Sequence, residues 1–362
     1  RLPGHLMVID PVNGNVLANA VVPDSMETYC SPVVADLNYD GNYEVIFGTG
    51  GETISGSLWV AELSDLMNND LSSAHKLANG NGKGFIAPVS IADINSNSYL
   101  DIISVGFDGS LRVFDGMGYS LLWSLDFPGM ESSAAPVLGN FTGSYLPDVV
   151  LSLYKGTTPS YSEFYQVLID GLTGLVVKTD SLGDYQYSSS VAADLNYDGI
   201  DELIINSNSG AGLYTHDVYV RDYQLDSTYS IHNSTGANFG SSSWIGDLDG
   251  NDSLEIIFAV GIDSINPVGA KGYMLHRLDL NTSPTPAGVA WGGYMGSEYD
   301  AHYNLESNNC NSAIANLITE NISCNDANDG KLYFNIVGGS APYWYQFSNG
   351  VLDSIVDSLS PS

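Results

Sequence analysis

Five segments of this chain share one grammar: a short apolar strand, a polar Asp/Asn loop and a second apolar strand. The first three run from Val33-Val34-Ala35-Asp36 to Glu44-Val45-Ile46-Phe47, from Ile91-Ala92-Asp93 to Asp101-Ile102-Ile103, and from Val137-Leu138-Gly139-Asn140 to Asp148-Val149-Val150-Leu151. The last two run from Val191-Ala192-Ala193-Asp194 to Glu202-Leu203-Ile204-Ile205 and from Trp244-Ile245-Gly246-Asp247 to Glu255-Ile256-Ile257-Phe258. The loops open at positions 36, 93, 140, 194 and 247. A period of about 50 residues is that of a propeller blade and is too long for ankyrin or leucine-rich units. Each unit continues into a third strand: Leu58-Trp59-Val60, Leu111-Arg112-Val113-Phe114, Val167-Leu168-Ile169, Val218-Tyr219-Val220 and Tyr273-Met274-Leu275. Several of these end in Asp-to-Gly turns such as Asp115-Gly116, where glycine supplies positive φ. Four strands per unit, no helical periodicity and 39 glycines predict an all-β fold, a β-propeller of four-stranded blades.

The N-terminus fits the same frame. Leu6-Met7-Val8-Ile9-Asp10 followed by Asn13-Gly14-Asn15 reads as a third strand and its turn, so residues 1–22 are expected to form the outer half of a blade. One period past Asp247 lies Asp300-Ala301-His302-Tyr303-Asn304-Leu305-Glu306, a decayed loop without apolar flanks.

The loops carry oxygen donors at fixed offsets. In the first, Asp36, Asn38, Asp40 and Glu44 stand at positions 1, 3, 5 and 9, with Gly41 after the fifth and Asn42 offering its carbonyl. Calcium takes six to eight such oxygens, whereas magnesium keeps more of its water. The opening overlaps the EF-hand pattern. Flanking strands and a closing acid at position 9 exclude that motif. The fourth loop (Asp194, Asn196, Asp198, Glu202) and the fifth (Asp247, Asp249, Asn251, Glu255) also carry three carboxylates. The second (Asp93, Asn95, Asn97, Asp101) has two, and the third (Asn140, Thr142, Ser144, Asp148) has one. Three strong calcium sites, one moderate and one weak are therefore expected. A single Asp/Asn/Gly loop is as readily a plain tight turn; recurrence in register is what points to a cation.

This arrangement resembles the FG-GAP/VCBS repeat family, the propeller type of integrin α-subunits and many secreted bacterial proteins. The resemblance covers residues 1 to about 300 and is sharpest at the first, fourth and fifth loops, with Phe47-Gly48-Thr49-Gly50-Gly51 like the namesake stretch. It implies that the ions brace blades and take no part in catalysis.

After residue 318 the grammar changes. Cys324-Asn325-Asp326, Asn328-Asp329-Gly330, Gly338-Gly339, Pro342-Tyr343 and Ser348-Asn349-Gly350 resemble the SprB repeat of Bacteroidota surface proteins. That resemblance implies an Ig-like β-sandwich on large adhesins exported by type IX secretion. The division expected is a propeller over 1–318 and a partial sandwich over 319–362.

Charge narrows the function. The chain has 42 acidic against 10 basic residues, a net −32, which repels phosphate backbones and anionic lipid heads. Nucleic-acid partners are not expected, and no apolar run approaches the roughly 18 residues needed to span a bilayer. Arg1 leads directly into a strand, so a removed leader or a longer parent chain is expected. Cys30, Cys310 and Cys324 have no CxxC spacing and allow at most one internal disulfide. The six histidines form no HxH or HExxH pattern, and no GxSxG, Walker or dinucleotide fingerprint is present. Twelve acids already belong to loops and no leftover pair stands out for glycoside chemistry, so an enzyme is not expected.

Binding has more support. Tyr29, Phe85, Tyr187 and Phe239 precede the first strands of their blades, where propellers open onto the central channel. Their rings suit stacking on sugars or a protein contact, and packing between blades is the competing use. The expected protein is a calcium-stabilised, extracellular propeller of a cell-surface adhesin, binding glycan or surface protein. The alternatives are a polysaccharide lyase or hydrolase and a structural spacer in a stalk or filament.

Overall fold

The computed structural model describes residues 2–144, 146–182, 187–210, 212–251, 253–266, 271–280 and 288–303, and the backbone of strands at 314–320, 330–337 and 355–359. Contacts divide the chain into Arg1–Asn304 and Leu305–Ser362. The strand Ile314–Glu320, which straddles position 318, therefore belongs to the second unit.

The first unit is a β-propeller built from successive antiparallel sheets. The first blade runs Val33–Ala35, Glu44–Gly48, Ser57–Glu62 and His75–Asn79 in sheet order. The second runs Ser90–Ala92, Asp101–Val105, Ser110–Phe114 and Leu121–Asp126. In the third, Val137–Gly139 pairs with a ten-residue hairpin, Asp148–Thr157 and Ser160–Ile169, and then Val176–Asp180. The fourth runs Val191–Ala193, Glu202–Ser209, Thr215–Asp222 and Ser227–Thr235. The fifth shows three strands, Trp244–Gly246, Glu255–Gly261 and Tyr273–Asp279. Second strands are buried over most of their length, Glu44–Gly48 and Asp101–Val105 throughout, while the outer strand Leu121–Asp126 lies half in water. That gradient explains why second strands read as unbroken apolar runs, as strands covered on both faces do.

Hairpin His5–Ile9 with Val16–Val21 is the half blade expected of residues 1–22. Its Leu6, Ala20 and Val22 pack on Val45, Phe47, Trp59 and Ala61 of the first blade. Neighbouring blades are tied by direct hydrogen bonds. Leu100 N donates to Leu37 O (2.9 Å), and Trp123 Nε1 donates to Gly171 O (2.9 Å). Arg221 Nε meets Asp180 Oδ2 at 2.8 Å. Between the fourth and fifth blades Val218, Val220, Ile245, Ile256 and Phe258 share one core.

The segment Gly288–Tyr303 does not build a sixth blade; it crosses the inner strands. Trp291 pairs with Ala192, Ile245 N donates to Gly292 O (2.9 Å), and Ile91 N donates to Ala301 O (2.8 Å). Inner strands of the second, fourth and fifth blades thus share one central segment. Its Ala290, Trp291, Ala301 and Tyr303 are buried. The decayed loop at Asp300 has no apolar flanks to form a hairpin, so its few apolar residues settle at the centre instead.

The second unit shows one antiparallel sheet in the order Ile314–Glu320, Gly330–Val337, Ile355–Leu359. Cys310 and Cys324 lie outside the described residues, and Cys30 is buried and unbridged.

Candidate metal loops and the channel mouth

All five loops sit where a three-residue first strand hands over to its second strand, and all five are locked the same way. The closing acid at position 9 is buried: Glu44, Asp101, Asp148, Glu202 and Glu255 are each at most 2% exposed. One of its oxygens accepts the backbone N–H of position 2, from Leu37 (2.9 Å), Ile94 (3.0 Å), Phe141 (3.0 Å), Leu195 (2.7 Å) and Leu248 (2.8 Å). The acid at position 1 curls the loop. Asp36 accepts from Asp40 N (3.1 Å) and Gly41 N (2.9 Å), and Asp93 and Asp194 repeat this with Asn97 and Ser98 and with Tyr197 and Gly199. Position 4 takes left-handed backbone in all five loops and position 6 does so in the first, second and fourth, as at Tyr39 (φ 55) and Gly41 (φ 88), a conformation glycine adopts without strain.

The second carboxylate oxygen is where the loops differ. Glu202 Oε1 accepts from Asn196 Nδ2 (2.8 Å), Asp148 Oδ1 is buried without a hydrogen-bond partner, and buried Glu255 Oε1 has only the ion pair with Arg277. In the fifth loop, carboxylate oxygens of Asp247, Asp249 and Glu255 all lie within 4.8 Å of one another. Arg277 reaches Asp249 at 2.5 Å and Glu255 at 3.2 Å. Among the described residues it is the one basic side chain paired to a loop carboxylate. Elsewhere burial, reinforced by neighbouring carboxylates, raises the acids: Glu202 to about 8, Asp101 to about 7 and Asp148 to about 6. Glu44 and Asp194 are also raised, burial being the main cause. A buried carboxylate without a counter-charge is costly to ionise.

Asp201 is a functional candidate outside the sequence reading. It is 3% exposed, and its Oδ2 accepts from Asn140 N of the third loop at 2.7 Å. Asp201 N donates to Asn140 O (2.8 Å), and Asn140 Nδ2 donates to Gly199 O (2.7 Å). The third loop, poor in acids, thus borrows one from the fourth blade. Burial first, then Asp194 and Asp148, push Asp201 up to about 7. The signal was available: position 8 holds Tyr43, Leu100, Pro147 and Leu254 elsewhere, and an acid only here.

At the other end of the inner strands the four candidate aromatics part company. Tyr187 and Phe239 stand 6.0 Å apart and line a cavity of about 560 Å³. Tyr154 packs edge-on against Tyr187 at 5.2 Å, and Tyr294 of the central segment joins the lining. Tyr29 is 63% exposed and donates its hydroxyl to Glu27 (2.9 Å), away from that lining. Phe85 is 0% exposed, and a Cβ at Gly48 would stand 2.3 Å from its carbonyl oxygen. Phe85 is therefore a packing wedge, not a contact at the mouth. The long third-blade hairpin arches over the cavity, with Thr158 Oγ1 donating to Glu52 of the first blade (3.1 Å). Buried Glu131 anchors that hairpin by accepting from Thr158 N (3.0 Å) and Tyr161 OH (2.6 Å) and by pairing with Lys83.

Fold and loops together define an all-β propeller with acidic loops at one end of its inner strands and an aromatic mouth at the other. Residues 316–352 match the SprB repeat family, a repeat typical of cell-surface proteins. Among curated proteins none matches the chain in sequence. Three solved structures are similar. The V. cholerae biofilm matrix protein Bap1 is 14% identical with a TM-score of 0.46, over 98% of this chain and 56% of that one. The WD40 domain of Toxoplasma gondii coronin is 12% identical, with a TM-score of 0.45 over 99% and 77%. BamB from Moraxella catarrhalis is 10% identical, with a TM-score of 0.38 over 98% and 83%. The chain thus spans little more than half of the Bap1 structure, and likenesses this distant say nothing of activity. Among the described residues no helix is long and apolar enough to cross a membrane.

Proposed function

We propose that this chain is the calcium-braced propeller of an extracellular cell-surface protein of adhesin type, which binds its ligand at the aromatic mouth. The observation that carries the reading is the fivefold buried acid. Its inner oxygen holds the loop shut, and save for Arg277 at Glu255 (3.2 Å) no basic side chain among the described residues offsets its charge. A hard divalent cation supplies the missing charge, and Asp, Asn and carbonyl oxygens are the donors calcium takes. Asp36, Asn38, Asp40 and Glu44, with the carbonyl of Asn42, would hold one ion. The sets at Asp194 and Asp247 would hold two more, with a looser one at Asp93. In this reading the loops are of FG-GAP/VCBS type, and with the SprB repeat they suit a Bacteroidota protein exported by type IX secretion.

Binding is favoured over turnover because the carboxylates nearest the mouth are already engaged: Glu131 by Lys83, Thr158 and Tyr161, and Glu52 by Thr158. Calorimetric titration of the metal-free chain with calcium tests the brace. At least three equivalents should bind, with magnesium much weaker. No heat and no change in melting temperature would overturn it.

A further inference from the structure

We infer that the cavity at the mouth takes an uncharged, polyhydroxylated ligand, the end of a neutral oligosaccharide. This deepens the ligand-binding reading above and rests on it. The cavity is assembled from every blade and the central segment, and about 560 Å³ is a small-molecule volume. That recess suits a chain end better than a flat protein patch.

Its chemistry is of two kinds. Tyr187, Phe239 and Tyr294 bring aromatic surface, and packing fixes the first two in place: Tyr187 against Tyr154 at 5.2 Å and Phe239 against Tyr214 at 5.9 Å. Ser133, Ser188, Ser189 and Ser242 bring hydroxyls to the same lining. Ser242 Oγ is out of solvent and has no hydrogen-bond partner in the protein. Aromatic carbon suits the C–H face of a sugar ring, and hydroxyls suit its edge. Ser133 already pairs with Tyr154 OH (3.3 Å) and Ser189 accepts from Ala135 N (2.9 Å), so it is Ser242 that a wholly apolar ligand would leave unpaired, at a cost.

Charge removes the other candidates. Among the described residues the lining holds no lysine, arginine or histidine. Lys83, which stands over the Phe107 ring of the lining at 5.2 Å, is engaged by Glu131. With a net −32 around it, the site repels uronates and sulfated sugars. An ammonium group could use the rings. The one carboxylate in the lining, Glu52, is exposed and already bonded by Thr158, so a cation would gain little there.

The test is calorimetric titration of the full chain in saturating calcium. The panel holds neutral gluco-, manno- and galacto-oligosaccharides, uronate- and sulfate-bearing ones, and a choline-type quaternary ammonium compound. Saturable binding is expected for a neutral sugar and none for the acidic ones. Phe239→Ala and Tyr187→Ala should each weaken it about tenfold or more, while Phe239→Tyr and Tyr187→Phe stay within about threefold. If an alanine variant loses its melting transition, Phe239→Leu replaces it, keeping bulk without an aromatic face. A silent neutral panel, tighter binding of the acidic or ammonium compounds, or binding that survives both ring removals overturns the assignment. Melting each sample with and without calcium separates the two readings. A calcium shift beside a silent panel overturns the ligand class alone, and sugar binding without a calcium shift overturns the brace alone.

Discussion

The two ends of the inner strands are built on opposite principles. At one end five loops repeat a single local solution, each closed by its own buried acid and its own position-2 N–H. At the other end a repeated position has diverged: of the aromatics ahead of the first strands only Tyr187 and Phe239 line the cavity, joined by Tyr294 and the hairpin tip at Thr158. A repeated device suits a task every blade shares, which is staying folded. A mouth that draws one contribution from each blade can change its ligand without disturbing that task. Damage at the loops should therefore appear as lost stability, and damage at the mouth as lost binding.

The largest expected effect is metal removal. With free calcium near 100 times the dissociation constant, each site adds about 2.7 kcal/mol. Three sites then add about 8 kcal/mol, or roughly 15 °C in melting temperature for a chain of this size. Scanning calorimetry with calcium and with chelator measures it; a shift under about 2 °C would remove the contrast between the two ends.

Next comes a reversal with pH. Without calcium, Glu202 is raised from 4.5 to about 8 and Asp101 from 3.8 to about 7. Each then binds its proton more tightly in the folded chain than in the unfolded one. Stability from these groups is fully present at low pH and is lost as pH rises through the folded values. In chelator the chain should melt higher at pH 5.5 than at pH 8.5. Calcium competes with those protons, so with the ion present the order should invert. Parallel melting curves that keep the same order in both conditions would contradict the loops as cation sites.

Single substitutions sharpen the comparison within the loop end. Glu202→Gln should cost about 2.7 kcal/mol in calcium, the loss of one site. In chelator it should be neutral or stabilising, because it removes a buried charge. Asp148→Asn, in the third loop, should change melting little in either condition, since an amide oxygen can still accept from Phe141 N and Thr142 N. Asp201→Ala strips the half-buried Asn140 N–H of its partner and should cost about 1 kcal/mol or somewhat more. Chemical denaturation of the three variants checks the ranking.

The same contrast governs what could be read from the amino acids alone. Strands, loop register and graded acidity were legible because each is local and repeated, so one copy corroborates another. Asp201 was not, because its partner is Asn140 of the neighbouring blade, and only its odd place at position 8 hinted at it. The central segment was not legible either, beyond its end at Asp300, which reads as a decayed loop. Its Val-Ala-Trp-Gly-Gly run has no period, and its partners Ile91, Ala192 and Ile245 belong to three different blades. Phe85 and Phe239 hold the same place ahead of a first strand, yet one is buried and the other lines the cavity. The difference lies in Gly48, whose missing Cβ lets Phe85 sink against the backbone.

The smallest expected change in stability is at the mouth, and there it is the smallness that matters. Phe239 is half-buried and stands outside the cores shared by the blades. Phe239→Ala therefore removes ring contacts of about 0.5–1.5 kcal/mol plus a partial burial term. That is roughly 2–4 °C in melting temperature, far below the calcium effect. The calcium-dependent shift should be unchanged in size, since the ring and the loops lie at opposite ends of the inner strands. A Phe239→Ala chain that lost its response to calcium would mean that the two ends are coupled through those strands. The division between a bracing end and a binding end would then fail.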